Sequence, residues 1–377
     1  RDNLLPLTFT RPVSDIRIGI LTIREKWEKH LKDKTSTLTE EYLSKKFPLV
    51  TKNQNILING SVCPNTKLVK DILALKPGDA LFSDETLIAL NSSTADISNY
   101  KNRKETKAFS QYVKNLWDIF QKNGKAIEDD FELLTKGKKS QKISKSNQVV
   151  NPKNIFMEKG AKVECASLNA STGPIYVGKD AEIMEGSVVR GPFSLGDHSQ
   201  LKLGTKIYGP TTVGPESRVG GEVNNAVIFG YSNKAHDGFL GNSVIGEWCN
   251  IGADSNNSNL KNNYAPVRIW NYHQEKFETT GLTFCGLIMG DHSKCGINTM
   301  FNTGTVVGVS ANIFGAGFPR NFIADFSWGG AAGFTTYHPK DALATAQRVY
   351  ERRNKKMDET NMDILNKVFE MTEKHRK

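Results

Sequence analysis

The 377-residue chain has no run of about 18 uncharged apolar residues, so nothing in it reads as a bilayer-spanning helix. Residues 1–11 lack the basic, apolar and small-residue succession of an export signal. The five cysteines, Cys63, Cys165, Cys249, Cys285 and Cys295, are odd in number and include no CxxC pair. That pattern argues against a disulfide framework or a zinc knuckle and for the reduced thiols of a cytoplasm. Basic runs do exist, at residues 136–145 and 348–377, and they supply much of the formal net charge of +10. Tyr350 and Phe369 are the two aromatics among them and no nucleic-acid motif accompanies them, so they read as a solvated linker and a solvated helix. Attraction for phosphorylated small molecules is the sharper alternative. The expectation is a cytoplasmic protein with neither membrane nor nucleic-acid partners.

What the chain does contain is a repeat. Stepping by six from Val177 lands on Ile183, Val189, Leu195, Leu201, Ile207, Val213 and Val219, with Gly178, Gly196, Gly214 and Gly220 directly after four of the eight. At 38% apolar content, eight hits in one fixed frame have a chance of roughly 0.0004. The phase breaks at residues 224–235, resumes at Phe239, Ile245 and Ile251, breaks again over 256–280, and returns as Met289, Cys295, Phe301, Val307 and Ile313. Six fits neither the 3.6 period of a helix nor the 2 of a plain strand; it is the period of a β-solenoid whose short strands each send one aliphatic side chain inward. Such an array needs several coils and a cap at each end. Both phase breaks are expected to be loops leaving the prism, and function is expected where His, Glu and Lys join their asparagines.

The hexads, with GPIYVGKDAEIMEGSVVRGPF, GGEVNNAVIFGYSNKAHDGFLGNSVIGEWCNIGAD and GDHSKCGINTMFNTGTVVG, bring the chain to a family. It resembles a Bacteroidetes-type variant of the bifunctional enzymes that join glucosamine-1-phosphate N-acetyltransferase to N-acetylglucosamine-1-phosphate uridylyltransferase. The resemblance implies a left-handed parallel β-helix working as a homotrimer. It implies His236 as the catalytic base, five residues before Gly241, and Glu222, fourteen positions upstream, as its acidic support. Asn250 and Asn259, fourteen and twenty-three positions downstream of the histidine, match two family asparagines. Other positions depart from the family. Lys206 replaces an arginine that contacts sugar phosphate, keeping the charge and losing the bidentate fork. Asn224, Phe239 and Leu260 replace a lysine and two tyrosines, so the sugar contacts are altered.

Acyl transfer from a thioester to an amine needs a group that removes a proton from the attacking nitrogen, and imidazole suits this. A carboxylate at Glu222 would hold the ring as the third member of a triad does, and Asn250 and Asn259 would orient the amine or donate to the developing oxyanion. Lys202, Lys206, Arg190 and Lys234 are candidates for the phosphates of the sugar or of the acyl donor, acetyl-CoA.

The first 135 residues read as an α/β domain: strand-like runs at 55–59, 80–82 and 87–90, and a helical segment at 106–122. RDNLLPLTFTRP resembles the sugar nucleotidyltransferase signature, which puts Arg1 and Arg11 on nucleotide phosphates, with Lys26 as a further contact. Magnesium would serve that transfer, but Ser61 stands where the metal-binding aspartate belongs, and a hydroxyl is a poor ligand for a hard cation. Residues 136–150 read as linker, 151–335 as the β-helix, and 336–377 as a helical tail, with helices expected over 341–355 and 361–374.

These expectations make the chain a transferase that acetylates an amino sugar 1-phosphate from acetyl-CoA and couples it to a nucleoside triphosphate, giving a UDP- or dTDP-activated sugar. Other readings are a non-catalytic sugar-nucleotide scaffold and a nucleotidyltransferase with a structural β-helix. A metal-dependent hydratase is a further one; it would need His198, His236 and His292 around zinc, with no closely spaced pair among them.

Overall fold

The computed structural model describes residues 1–108 and 111–376. They form two compact units, one of Arg1–Thr10, Arg17–Ile20 and Asn115–Lys377, the other of Arg11–Ile16 and Leu21–Lys114. Among the described residues no helix is long and apolar enough to cross a membrane.

The larger unit is built on the expected parallel β-helix. Ile175–Val177 pairs in register with Phe193–Leu195, and that strand with Thr211–Val213, so one coil takes eighteen residues, three hexads. Val177, Leu195 and Val213 stack inward on one face; Ile183, Leu201 and Val219 do so on a second, and Leu168, Val189 and Ile207 on the third. All nine are buried, so every hexad contributes one aliphatic side chain to a continuous interior. Burial of each is worth about 1.5–3 kcal/mol relative to exposure.

The first phase break is not a loop. Val213 pairs with Ile228, fifteen residues on, and Arg218 with Asn233, so the coil is contracted and stays on the prism. The contraction lies at the corner before Glu222–Ile228, where Gly221 adopts a φ of 71°, and at the next corner, where Asn225 has a φ of 51°. Glycine takes left-handed angles freely and asparagine tolerates them, so each can turn the chain in fewer residues. The second break does leave the prism, but later than expected: Asn256–Asn257 still pairs with Met300–Phe301. The excursion then carries an antiparallel hairpin of Arg268–Asn271 and Lys276–Thr279 before Ile288–Met289 rejoins the stack.

The segment read as linker also differs. Gln148–Val150 pairs parallel with Ser167–Asn169, and Ile143 and Val149 pack on the β-helix core, so residues 143–150 belong to the first coil. Two apolar teeth in an otherwise polar stretch are enough for that. At the other end Ser327–Gly330 and Gly333–Thr336 form an antiparallel hairpin on the last coil, which covers one exposed sheet edge. The tail helices are Pro339–Glu351 and Glu359–Met371, as expected within a few residues.

The smaller unit has a four-stranded sheet in the order Asn55–Ile58, Thr86–Ser92, Asp79–Ser83, Asn102–Glu105, with the helices Ile23–Leu31 and Thr66–Leu73. The three expected strands are all present. The helix expected at 106–122 is not: Gln111–Tyr112 is a strand paired with Val62–Cys63, and helix starts only at Asp118–Gln121. Phe109 and Ser110, in the same stretch, lie outside the described residues. Thr106 explains the failure to start. Its hydroxyl donates to Asp71 at 2.6 Å and accepts from the amide of Ala108 at 3.0 Å, a side-chain turn that competes with helix.

Candidate functional site

Glu222, Lys206 and Arg190 lie on one face of the β-helix, and His236 at the corner that leads into it. On the outer side of that face, strand register sets Val188, Lys206, Glu222 and Phe239 in one column and Arg190, Tyr208, Asn224 and Gly241 beside it. Lys206 and Glu222 are therefore direct register partners on neighbouring coils. Arg190 and Lys206 are exposed, and Glu222 is half-buried.

His236 stands at the corner just before this face, on the turn after Asn233–Lys234, and is exposed. Its turn lies against Gly221: a Cβ there would sit 2.8 Å from both the His236 carbonyl oxygen and the Asp237 Cα. The histidine and Glu222 thus occupy adjacent coils at one corner, with glycine as the spacer that lets the two turns approach. Glu222 does not bond the imidazole. Its carboxylate accepts from the Tyr208 hydroxyl, and that bond pushes the phenol up to about 12.

Asn259 lies where the chain departs from the prism; its side-chain amide donates to Asn242 Oδ1 at 2.8 Å. Asn250 is exposed on the second face, where Asn250–Ile251 pairs with Lys294–Cys295, so it is not on the face of Glu222 and Lys206. Lys202 is half-buried in the same corner series as His236, two coils away, and donates to Gln200 at 2.9 Å.

Lys234 is the placement that sequence reasoning missed. It occupies an inward position in the column of Val219 and Ile251, is 3% exposed, and so does not present its charge outward to a phosphate. Its Nζ donates to the carbonyl oxygens of Gly220 at 3.0 Å, His236 at 2.5 Å and Asp237 at 3.3 Å. Burial pushes the ammonium down to about 8, against the pull of Asp237 and Asp254. The signal was present in the chain: counting sixes from Ile228 reaches Lys234 and then Leu240.

In the smaller unit Arg11 and Lys26 are buried, Lys26 on the helix Ile23–Leu31 that opens with a Thr22–Glu25 capping box. Arg1 belongs to the larger unit and pairs with Asp2 at 3.3 Å. Ser61 is buried, and its hydroxyl donates to Asn59 Oδ1 at 2.7 Å, so the oxygen at the expected metal position is neither charged nor aimed outward. Among the described residues no three His, Cys, Asp or Glu side chains are grouped to hold a metal. The donor set does not fit magnesium at Ser61.

Residues 1–139 match the family model for sugar nucleotidyl transferases. Two curated relatives, each named bifunctional protein GlmU, come from Methanocaldococcus jannaschii, 34% identical over 87 residues, and Methanococcus aeolicus, 32% identical over 87 residues. Each match covers 23% of this chain and only about a fifth of the relative, 21% and 20% respectively. Among solved structures, the chain is similar to the UDP-N-acetylglucosamine acyltransferases of Arabidopsis and Campylobacter jejuni. The Arabidopsis protein is 15% identical, with 62% of this chain and 91% of that one covered and a TM-score of 0.24. The Campylobacter jejuni protein is 12% identical, with 60% and 95% covered and a TM-score of 0.29.

Proposed function

We propose that this chain is a bifunctional transferase of nucleotide-sugar synthesis, whose β-helix N-acetylates an amino sugar 1-phosphate of the glucosamine 1-phosphate type from acetyl-CoA. The observation that carries the reading is the exposed imidazole of His236 at the corner beside Glu222 and Lys206. It sets a base next to a cationic face that suits an anionic sugar. In the reaction His236 takes a proton from the amine as nitrogen attacks the thioester carbonyl. The C–N bond forms, the C–S bond breaks, and coenzyme A leaves as its thiol after regaining a proton. Lys206 and Arg190 hold the sugar phosphate as point charge and fork. Asn259 and Asn250 are the polar contacts for amine and donor. The assembly is a homotrimer, a reading supported by the exposed Val188 and Tyr208 on the same face.

The match of residues 1–139 supports nucleotidyl transfer from UTP or dTTP in the first half of the chain. Magnesium for that step would have to be held elsewhere than at Ser61. The Ser61–Asn59 bond favours a second reading for this half alone, a sugar-nucleotide-binding module without turnover. Purified protein is to be assayed with acetyl-CoA plus amino sugar 1-phosphates, and separately with UTP or dTTP plus sugar 1-phosphates and magnesium. Acetylation in the first panel supports the main reading. Nucleotidyl transfer in the second excludes the binding-module reading, and no turnover in either panel overturns the enzyme reading as a whole.

A further inference from the structure

The inward column that holds Lys234 is otherwise aliphatic or thiol: Val163, Ile183, Leu201, Val219, Ile251, Cys295 and Ile313. An ammonium among them is costly, because a buried charge must replace its hydration shell with fixed dipoles. Among the described residues its hydrogen-bond partners are three backbone carbonyls, and all three lie at one corner. Two of them, those of His236 and Asp237, belong to the turn that carries the candidate base. The third, Gly220, belongs to the turn below, next to Glu222. In the next coil Asn257, also at an inward register position, closes the same region from the other side. Its amide bonds both the amide nitrogen and the carbonyl oxygen of Gly241, at 2.9 and 3.1 Å. Polar side chains thus enter the interior at the coils that carry the candidate site, where they are spent on fixing backbone.

We infer that Lys234 is the positioning residue of the site: from inside the β-helix its ammonium gathers the Gly220, His236 and Asp237 carbonyls and so sets the direction in which the His236 imidazole leaves the coil. This rests on the reading of His236 as the base. A turn held by three charge-assisted bonds has little freedom to rotate its peptide planes, and displacement of a catalytic group by about 1 Å costs on the order of a hundredfold in rate. Lys234 touches neither substrate in this account and acts only through the turn.

Lys234→Met keeps the length of the side chain and removes the donor. Lys234 lines a small cavity with Phe239, Ile251, Leu287 and Phe301, and the unbranched thioether takes up the space that the lysine stem occupies. Lys234→Arg retains charge and donors and serves as the conservative comparison. Two readouts are taken on the full chain: kcat and KM for acetyl transfer from acetyl-CoA to glucosamine 1-phosphate, and amide hydrogen exchange of the peptide spanning 235–240. The expected result for Lys234→Met is a fall in kcat of about tenfold or more with KM within about twofold, and faster exchange confined to that peptide. Lys234→Arg is expected to recover most of both. If Lys234→Met does not fold, the Lys234→Arg protein decides: retained kcat and retained protection support the inference, loss of both overturns it. Unchanged kcat in folded Lys234→Met, or exchange raised evenly along the β-helix, also overturns it. Should wild-type protein transfer no acetyl group, the reading of the function fails, while the exchange measurement still tests the grip of Lys234 on the turn.

Discussion

Tyr208 donates its phenolic hydrogen to the Glu222 carboxylate, so the acid one coil below His236 is engaged along its own sheet face and not across the corner. The bond to the carboxylate is the largest cause of the raised phenol, about 12 instead of the ordinary 10. Glu222→Gln removes the charge that disfavours phenolate, so one tyrosine is expected to ionise earlier. Ultraviolet titration of wild type against the variant should show a difference of about one tyrosinate between pH 10 and 12. Superimposable curves would mean that the pair does not exist in solution.

Asp325 is fully buried, and its carboxylate accepts from the Tyr272 hydroxyl at 2.7 Å and the Val309 amide at 2.6 Å. Burial outweighs both bonds and pushes it up to about 6 from 3.8. The folded chain therefore binds more protons than the unfolded one between those values. The contribution of Asp325 to stability is full below about pH 3.8 and declines as pH rises through 6. Asp325→Asn keeps the shape without the titration. In denaturant unfolding the stability of wild type relative to this variant should improve as pH falls from 6 to 4; a flat difference would contradict the assignment.

Trp248 is stacked between Tyr231, with ring centroids 4.2 Å apart, and Tyr350 of the first tail helix, at 3.9 Å. Arg353 adds a bond to Asn233 at 2.9 Å. The tail helix is thus clamped on the coils that carry the candidate site. Trp248 has a φ of 62°, so Trp248→Asn removes the stack without adding backbone strain. Each aromatic pair is worth about 0.5–1.5 kcal/mol beyond its area. Limited proteolysis should cut the variant first between residues 351 and 359, with the β-helix left intact, and at least several-fold faster than wild type. Equal rates would show that the stack does not hold the tail.

The regular coils were legible because a six-residue period places Val177, Leu195 and Val213 inward whatever their neighbours are. The contracted coil was not, since short turns at Gly221 and Asn225 shift the frame and make a continuing coil look like a loop. The same shift hid Lys234: in the Val219 frame it falls off the inward positions, and in the Ile228 frame it falls on one. The grouping of His236, Glu222 and Lys206 was reached through family resemblance, whereas the Tyr208–Glu222 bond depends on register across two coils, which sequence spacing does not reveal. The helix expected at 106–122 failed for a local reason, because the Thr106 hydroxyl offers the backbone a competing turn.

The most direct test of the account is the rate of acetyl transfer from acetyl-CoA to glucosamine 1-phosphate by His236→Ala, with its fold verified against wild type. General base catalysis contributes roughly 10²–10⁴ in rate. Loss of kcat by at least about a hundredfold, with binding of the sugar phosphate retained, is the predicted result. A variant that acetylates as fast as wild type would contradict the assignment of the base and, with it, of the corner as the active site.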